Sequence, residues 1–140
     1  MSLPFVNVKR IVIAHLKPIL APVVPRSKLP ATLDASSLPV VQVFRSPGSE
    51  NQHTAFTRID LHVFAATEDA VWSLSEKALN GMTQLSGRVI EGHRFDVVRV
   101  IQDPSDLPWS STVERTVSVY EIPVRPAMMK SNGPAVAGQS

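Results

Sequence analysis

The stretch of sequence that decides the fold is residues 56–66, FTRIDLHVFAA. Four apolar side chains occupy alternate positions, namely Ile59, Leu61, Val63 and Ala65. The positions between them carry Arg58, Asp60, His62 and Phe64. Because successive side chains of a strand point to opposite faces, this alternation predicts a strand whose sheet is covered on one side.

Three further strands are predicted around it. Residues 40–45, VVQVFR, are rich in β-branched residues and end at the turn signal Ser46-Pro47-Gly48, so they form a long-looped hairpin with residues 56–66. Residues 95–102 are too continuously apolar to indicate an inner face, and residues 103–108, DPSDLP, interrupt them. Residues 112–124 alternate again, with Val113, Val117 and Val119 on one parity and Glu114, Thr116, Ser118 and Tyr120 on the other.

Two amphipathic helices are predicted from apolar residues at helical spacing. The first covers residues 4 to about 20, and Pro18 either ends it at Lys17 or kinks it. The second begins after the N-cap Thr67, runs to residue 86 and stops at Gly87. Gly81 inside it predicts close packing of its backbone against the sheet.

These elements predict an α+β fold in the order α-β-β-α-β-β. We expect a four-stranded antiparallel sheet with both helices packed on one face, and the opposite face turned to solvent or to another subunit. The length predicts a single domain, residues 1–125, followed by a flexible C-terminal tail, residues 126–140. Residues 21–39, punctuated by Pro, are expected to form an extended surface connector.

Composition excludes several classes of protein. The chain has no Cys, which rules out disulfide scaffolds and thiol nucleophiles. Its 14 basic and 12 acidic side chains are too nearly balanced for a dedicated nucleic-acid binder. No apolar stretch approaches the roughly 20 residues that span a bilayer. We therefore expect a soluble product made in the cytoplasm, without a membrane partner.

No constellation in the sequence predicts catalysis. Asp60 and His62 share a strand face, and Glu114 or Glu121 are candidates to lie opposite them as a general-base or metal site, but polar groups are expected on an open sheet face in any case. There is no nucleophile elbow and no glycine-rich phosphate loop. The sequence therefore predicts no enzyme, no metal and no cofactor.

The same features favour a protein–protein interface. The predicted hairpin loop is longer than a hairpin needs, charged side chains occupy the open sheet face, and Trp109 either plugs the edge of the core or forms an exposed contact. The candidate interface residues are Arg45, Pro47, Glu50, Arg58, Asp60, Trp109 and Arg115.

The layout, together with residues 56–82, FTRIDLHVFAATEDAVWSLSEKALNGM, and residues 110–126, SSTVERTVSVYEIPVRP, resembles the tail terminator (tail completion) proteins of long-tailed bacteriophages. In that family a strand that begins with an Arg-x-Asp pattern leads through an aromatic residue into a helix, and the chain ends on a long strand followed by a short tail. Residues 5–126 take part in the resemblance, and residues 21–39 depart from it by being longer and richer in Pro.

The resemblance implies a structural virion protein at the head-proximal end of the tail. Its expected form is a homo-oligomeric ring, six-fold, that caps the tail tube protein, stops tube polymerisation and presents a surface to the head-completion (stopper) protein. Genomic DNA would pass through the lumen without sequence readout.

Two alternatives stay open. One is another neck or tail-tube component, from which the second helix would distinguish the chain because tube proteins are dominated by β-structure. The other is a small ligand-binding or enzymatic α+β domain, which requires a concave pocket lined by His62, Asp60 and an acidic partner.

Overall fold

Residues 55–65 form a central strand, as the alternating stretch predicts, but within a larger sheet than expected. The computed structural model describes residues 7–46 and 55–126. Its elements in chain order are α1 (Val8–Leu20), β1 (Pro25–Arg26), β2 (Val40–Ser46), β3 (Ala55–Ala65), α2 (Glu68–Thr83), β4 (Val89–Ile90), β5 (His93–Phe95), β6 (Arg99–Asp106) and β7 (Glu114–Pro126).

The strands form one mixed, curled sheet with the order β1-β2-β3-β7-β5-β4. β3 pairs antiparallel with β2 on one side and with β7 on the other. The far edge of β7 is shared, since β6 pairs with residues 116–121 and β5 with residues 124–126. β1 is parallel to β2.

The prediction of a four-stranded antiparallel sheet is therefore wrong. β1 and β4 contain two residues each, too few for any periodicity to reveal them. The predicted third strand is two strands, because β5 ends at Phe95 and β6 begins only at Arg99. β6 also continues through the predicted break, since Pro104 is tolerated in a strand at the edge of a sheet.

Both helices cover one face of the sheet. Asn7 caps α1 through Oδ1, which accepts from the backbone N–H of Arg10 at 3.1 Å. Thr67 Oγ1 caps α2 by accepting from Ala70 N at 3.1 Å. α1 continues through Pro18 to Leu20, and α2 ends at Thr83, three residues before the predicted end. The apolar face of β3, from Ile59 to Ala65, is buried against them.

In β7, the set of alternate residues that begins with polar side chains faces the helices. Thr116, Ser118 and Tyr120 are buried, in line with Ile122 and Val124. For Thr116, the cost of burying the hydroxyl is offset by hydrogen bonding. Ser75 Oγ in α2 donates to Val71 O at 2.6 Å and lies 2.5 Å from Thr116 Oγ1, so the Thr116 hydroxyl is the donor of the second bond.

The predicted connector, residues 21–39, is more than a surface arm. It contains β1, and its Leu29, Leu33 and Leu38 pack on the sheet face opposite the helices. There they cover a second apolar cluster of Val40, Phe64 and Val113. One end of the face that we expected to be open is therefore covered by the chain itself. The predicted tail lies outside the described residues from Ala127 onward.

Gly81 makes the predicted close approach, but to α1 rather than to the sheet. A Cβ at this position would lie 2.8 Å from Leu16 Cδ2 and 3.3 Å from Ile19 Cδ1. Gly81 therefore sets how closely the two helices approach each other.

We expect Leu61→Ala to lower the free energy of unfolding by about 2 to 4 kcal/mol, because it leaves a cavity at a fully buried position. Arg58→Ala, on the opposite face of the same strand, should leave the thermal midpoint nearly unchanged. Chemical and thermal denaturation followed by circular dichroism measure both. Equal losses for the two variants would contradict this assignment of the faces.

We expect Gly81→Leu to destabilise the fold by about 1 to 3 kcal/mol, because a side chain at the helix crossing overpacks it. Asn80→Leu adds the same group at the neighbouring exposed position and is the matched control. Urea unfolding of the two variants gives the comparison. A Gly81→Leu protein as stable as Asn80→Leu would show that α1 and α2 have room to separate without cost.

Candidate protein–protein interface

The outer face is the face of β2, β3 and β7 that points away from the helices. The strand register places Arg58, Asp60, His62 and Phe64 of β3 on it. Across the strands, Asp60 lies between Phe44 and Val119, and Phe64 lies between Val40 and Arg115. The alternation of residues 56–66 thus assembles charged and aromatic side chains on one surface.

An aromatic–arginine cluster, formed by Phe64, Trp109 and Arg115, occupies one end of the outer face. The Arg115 guanidinium carbon lies 4.9 Å from the centre of the Trp109 ring and 6.0 Å from that of Phe64. The Phe64 and Trp109 rings meet edge to face, with centroids 5.5 Å apart. These are cation–π and T-shaped geometries that stabilise side chains at half-exposed sites.

Backbone hydrogen bonds hold this cluster in place. Trp109 N donates to Val113 O at 3.2 Å, and Leu107 N donates to Arg115 O at 2.9 Å. Arg115 Nε donates in return to Leu107 O at 2.8 Å. Trp109 nevertheless remains 48% exposed. The cluster therefore presents a rigid, partly exposed Trp beside a positive charge, a combination enriched at the energetic centres of interfaces.

His62 lies between two aromatic rings on the outer face. Its ring centroid is 4.7 Å from that of Phe44 and 6.3 Å from that of Phe64. Burial lowers the pKa of His62, the charge of Arg115 lowers it further, and the carboxylate of Asp60 opposes the shift. The surroundings of His62 on this surface therefore favour its neutral form.

The two glutamates considered as partners of Asp60 and His62 do not join them. Glu114 lies across from Ala65, on the helix-facing parity of β7. Glu121 lies across from Arg58, and its Oε1 accepts from Arg99 at 3.1 Å. Within residues 7–46 and 55–126, no group of three or more His, Asp or Glu side chains is placed to hold a metal ion.

A cavity of about 210 Å³ lies elsewhere, between α1 and β4. Its lining includes Arg10, His15, Arg88 and Glu91. Arg10 Nη2 and Glu91 Oε1 are 2.6 Å apart, and His15 Nε2 is 2.7 Å from Gly81 O. Most of the polar groups of the cavity therefore form contacts between α1 and the residues next to it.

The structure divides the predicted interface residues into separate groups. Arg58 and Asp60 lie near one end of the outer face, and Trp109 and Arg115 lie at the other. Arg58 and Phe64 are six residue steps apart along β3, about 20 Å at the rise of a strand. Arg45 is exposed but lies across from Ile59, on the other parity. Pro47 and Glu50 lie outside the described residues.

Arg58 is half-buried, and its Nε is buried without a hydrogen-bond acceptor among the residues that the structure describes.

Sequence reasoning missed the β6 edge, residues 97–109. It carries four of the exposed large apolar side chains besides Trp109, namely Val97, Val100, Ile101 and Leu107. A signal was present in the sequence, because Val97, Val98, Val100 and Ile101 lie on both parities around Arg99 and indicate no consistent inner face. Exposed large apolar side chains concentrated in one segment mark a candidate interaction site.

No protein-family model matches the chain, and no curated protein matches it in sequence. In the part of the chain that the structure describes, neither helix is long and apolar enough to cross a membrane.

We expect the stability of the protein to fall, relative to His62→Gln, as the pH drops from about 7 to 5. The pKa of His62 is lower in the folded state than the ordinary value of 6.5, so the unfolded chain binds more protons in this range and stability rises with pH. Thermal midpoints of the two proteins across the range measure the effect. A constant difference between them would contradict the lowered pKa.

Proposed function

We propose that the protein is a structural virion component that forms a ring at the head-proximal end of a phage tail tube, ends tube polymerisation and provides the surface for head joining. In this role its partners are other copies of itself, the tail tube protein and the head-completion protein, and it is not an enzyme. DNA passes through the ring without being read.

The observation that carries the proposal is the outer face with its aromatic–arginine cluster. Trp109 is anchored on Phe64 and Arg115, yet half of its surface remains exposed. Rigid Trp and Arg side chains lose little conformational entropy on binding a protein partner. This chemistry agrees with the assembly role that the resemblance to tail terminators implies.

The 16-residue helix α2 supports a terminator over a tube subunit. It packs on β3, β6 and β7, and its Ser75 is hydrogen-bonded to Thr116 of β7, so it is an integral part of the core. Tube proteins, as the resemblance describes them, are dominated by β-structure.

We expect Trp109→Ala to yield folded protein that no longer ends tube growth, so that infected cells accumulate overlong tubes and unjoined heads. Loss of a central interface Trp costs about 2 kcal/mol or more, equivalent to roughly 30-fold weaker binding. Electron microscopy of lysates from a phage carrying the variant chain measures tube length.

Val89→Ala is the matched control, because Val89 is 56% exposed and lies on β4, away from the outer face. It should give tails of normal length. Normal, head-joined tails from phage that lack the chain altogether would overturn the proposed function.

A further inference from the structure

The molecule carries opposite charge at the two ends of its sheet, where β1 and β2 lie at one end and β6 lies beyond β7 at the other. The basic side, residues 7–46, comprises α1, the connector, β1 and β2, and its only acidic side chain is Asp34. It carries six basic side chains, namely Lys9, Arg10, Lys17, Arg26, Lys28 and Arg45, and of these Arg10 is paired with Glu91. α1 packs over β1 and β2, so these residues share one side of the molecule.

The acidic side consists of α2 and the β6 edge, beyond β7. α2 contacts β6, and Trp72 Nε1 donates to Asp106 Oδ1 at 3.1 Å. Together these two segments carry two basic side chains, Lys77 and Arg99, and Arg115 of β7 stacks on Trp109 at their end. They carry five acidic ones, namely Glu68, Asp69, Glu76, Asp103 and Asp106.

Exposed apolar side chains accompany the charges on both sides. On the acidic side, Val97 is 70% and Ile101 43% exposed. On the basic side, Val24 is 54% and Phe44 37% exposed. Each side therefore combines apolar area, which drives association, with charge that selects a partner of opposite sign.

The β6 edge is unsuited to adding a strand from another chain. Pro104 lacks the N–H that a ladder requires, and the pairing of β6 with β7 is shifted in register at two places, between Val100 and Gln102 and between Gln102 and Ser105. Such features protect sheet edges against strand addition. A partner must therefore dock through side chains.

We propose that the basic side of one copy of this chain docks on the acidic side of the next copy, head to tail. Docking of two acidic sides would oppose Asp103 and Asp106 to their own equivalents, and docking of two basic sides would oppose Arg26 and Lys28 to theirs. Contacts between two different surfaces generate a ring when the rotation closes. The inference rests on the proposed ring and identifies the surfaces that build it.

The absence of Cys from the sequence makes the test direct. Val24→Cys and Ile101→Cys place single thiols at exposed apolar positions on opposite sides of the sheet. With a short bis-maleimide cross-linker, we expect the double variant to give a ladder of multimers on a denaturing gel. An equimolar mixture of the two single variants should give dimers only. The largest product of the ladder counts the copies in a closed ring.

Each single variant alone should stay monomeric, and Val24→Cys combined with Val89→Cys is the matched control that should give no ladder. Lys28→Glu in the double-Cys background should reduce the ladder several-fold, and so should high salt. Dimers from either single variant, or no ladder at any protein concentration tested, would overturn the inference.

The failure of this inference and that of the proposed function are distinguishable. A ladder from the double-Cys variant, with normal tails from phage lacking the chain, would support the interface and rule out the terminator role. Overlong tubes from phage lacking the chain, with no ladder from the double-Cys variant, would support the terminator role and rule out this interface.

Discussion

The structure depends on the pairing of β3 with a neighbour along each of its edges. Because β2 and β7 pair with it on both sides, its backbone polar groups are satisfied within the sheet, and its side chains must suit two different faces. One face, from Ile59 to Ala65, is fully apolar and receives both helices. The other carries charges at one end and Phe64 at the other, and it is this division that creates the outer face.

The surroundings of Phe64 show how part of that second face is covered. Exposing a Phe in the middle of a sheet would be costly, and the segment between α1 and β2 covers it with Leu29, Leu33 and Leu38. The cover stops short of Trp109, which packs on the edge of Phe64 and leaves half of its own surface exposed. The aromatic–arginine cluster thus lies at the boundary between a small second core and an uncovered sheet surface.

Much of this arrangement could be predicted from the sequence wherever a period was long enough to detect. The helices follow from apolar spacing and, for α2, from the cap Thr67, whereas the cap Asn7 of α1 is seen only in the structure. The faces of β3 follow from strict alternation, which also places Arg58 and Asp60 together. Strands of two residues, such as β1 and β4, are too short to show a period. The leucines of the connector show no period either, because the segment that carries them has no regular secondary structure.

The inner face of β7 could not be predicted for a different reason. Its valines, Val117 and Val119, share the parity of the outer face, while Thr116 and Ser118 are buried. A partner offsets the cost of burying the Thr116 hydroxyl, and that partner, Ser75, comes from a helix more than thirty residues earlier in the chain. The stacking of Arg115 on Trp109 depends in the same way on a loop closed by backbone hydrogen bonds between residues 107–110 and 113–115.

The proposed function places a physical demand on the edges of the sheet, and β6 satisfies that demand. A protein that ends a polymer must bind the last subunit without offering a new site for growth, and an unpaired strand edge is such a site. Pro104, the charge of Asp103 and the two register shifts remove it from β6, while the apolar side chains beside them remain exposed. Association is then limited to surfaces that match in shape and charge. When these surfaces are opposite sides of one chain, the number of copies is set by the angle between them, so that growth stops when the ring closes.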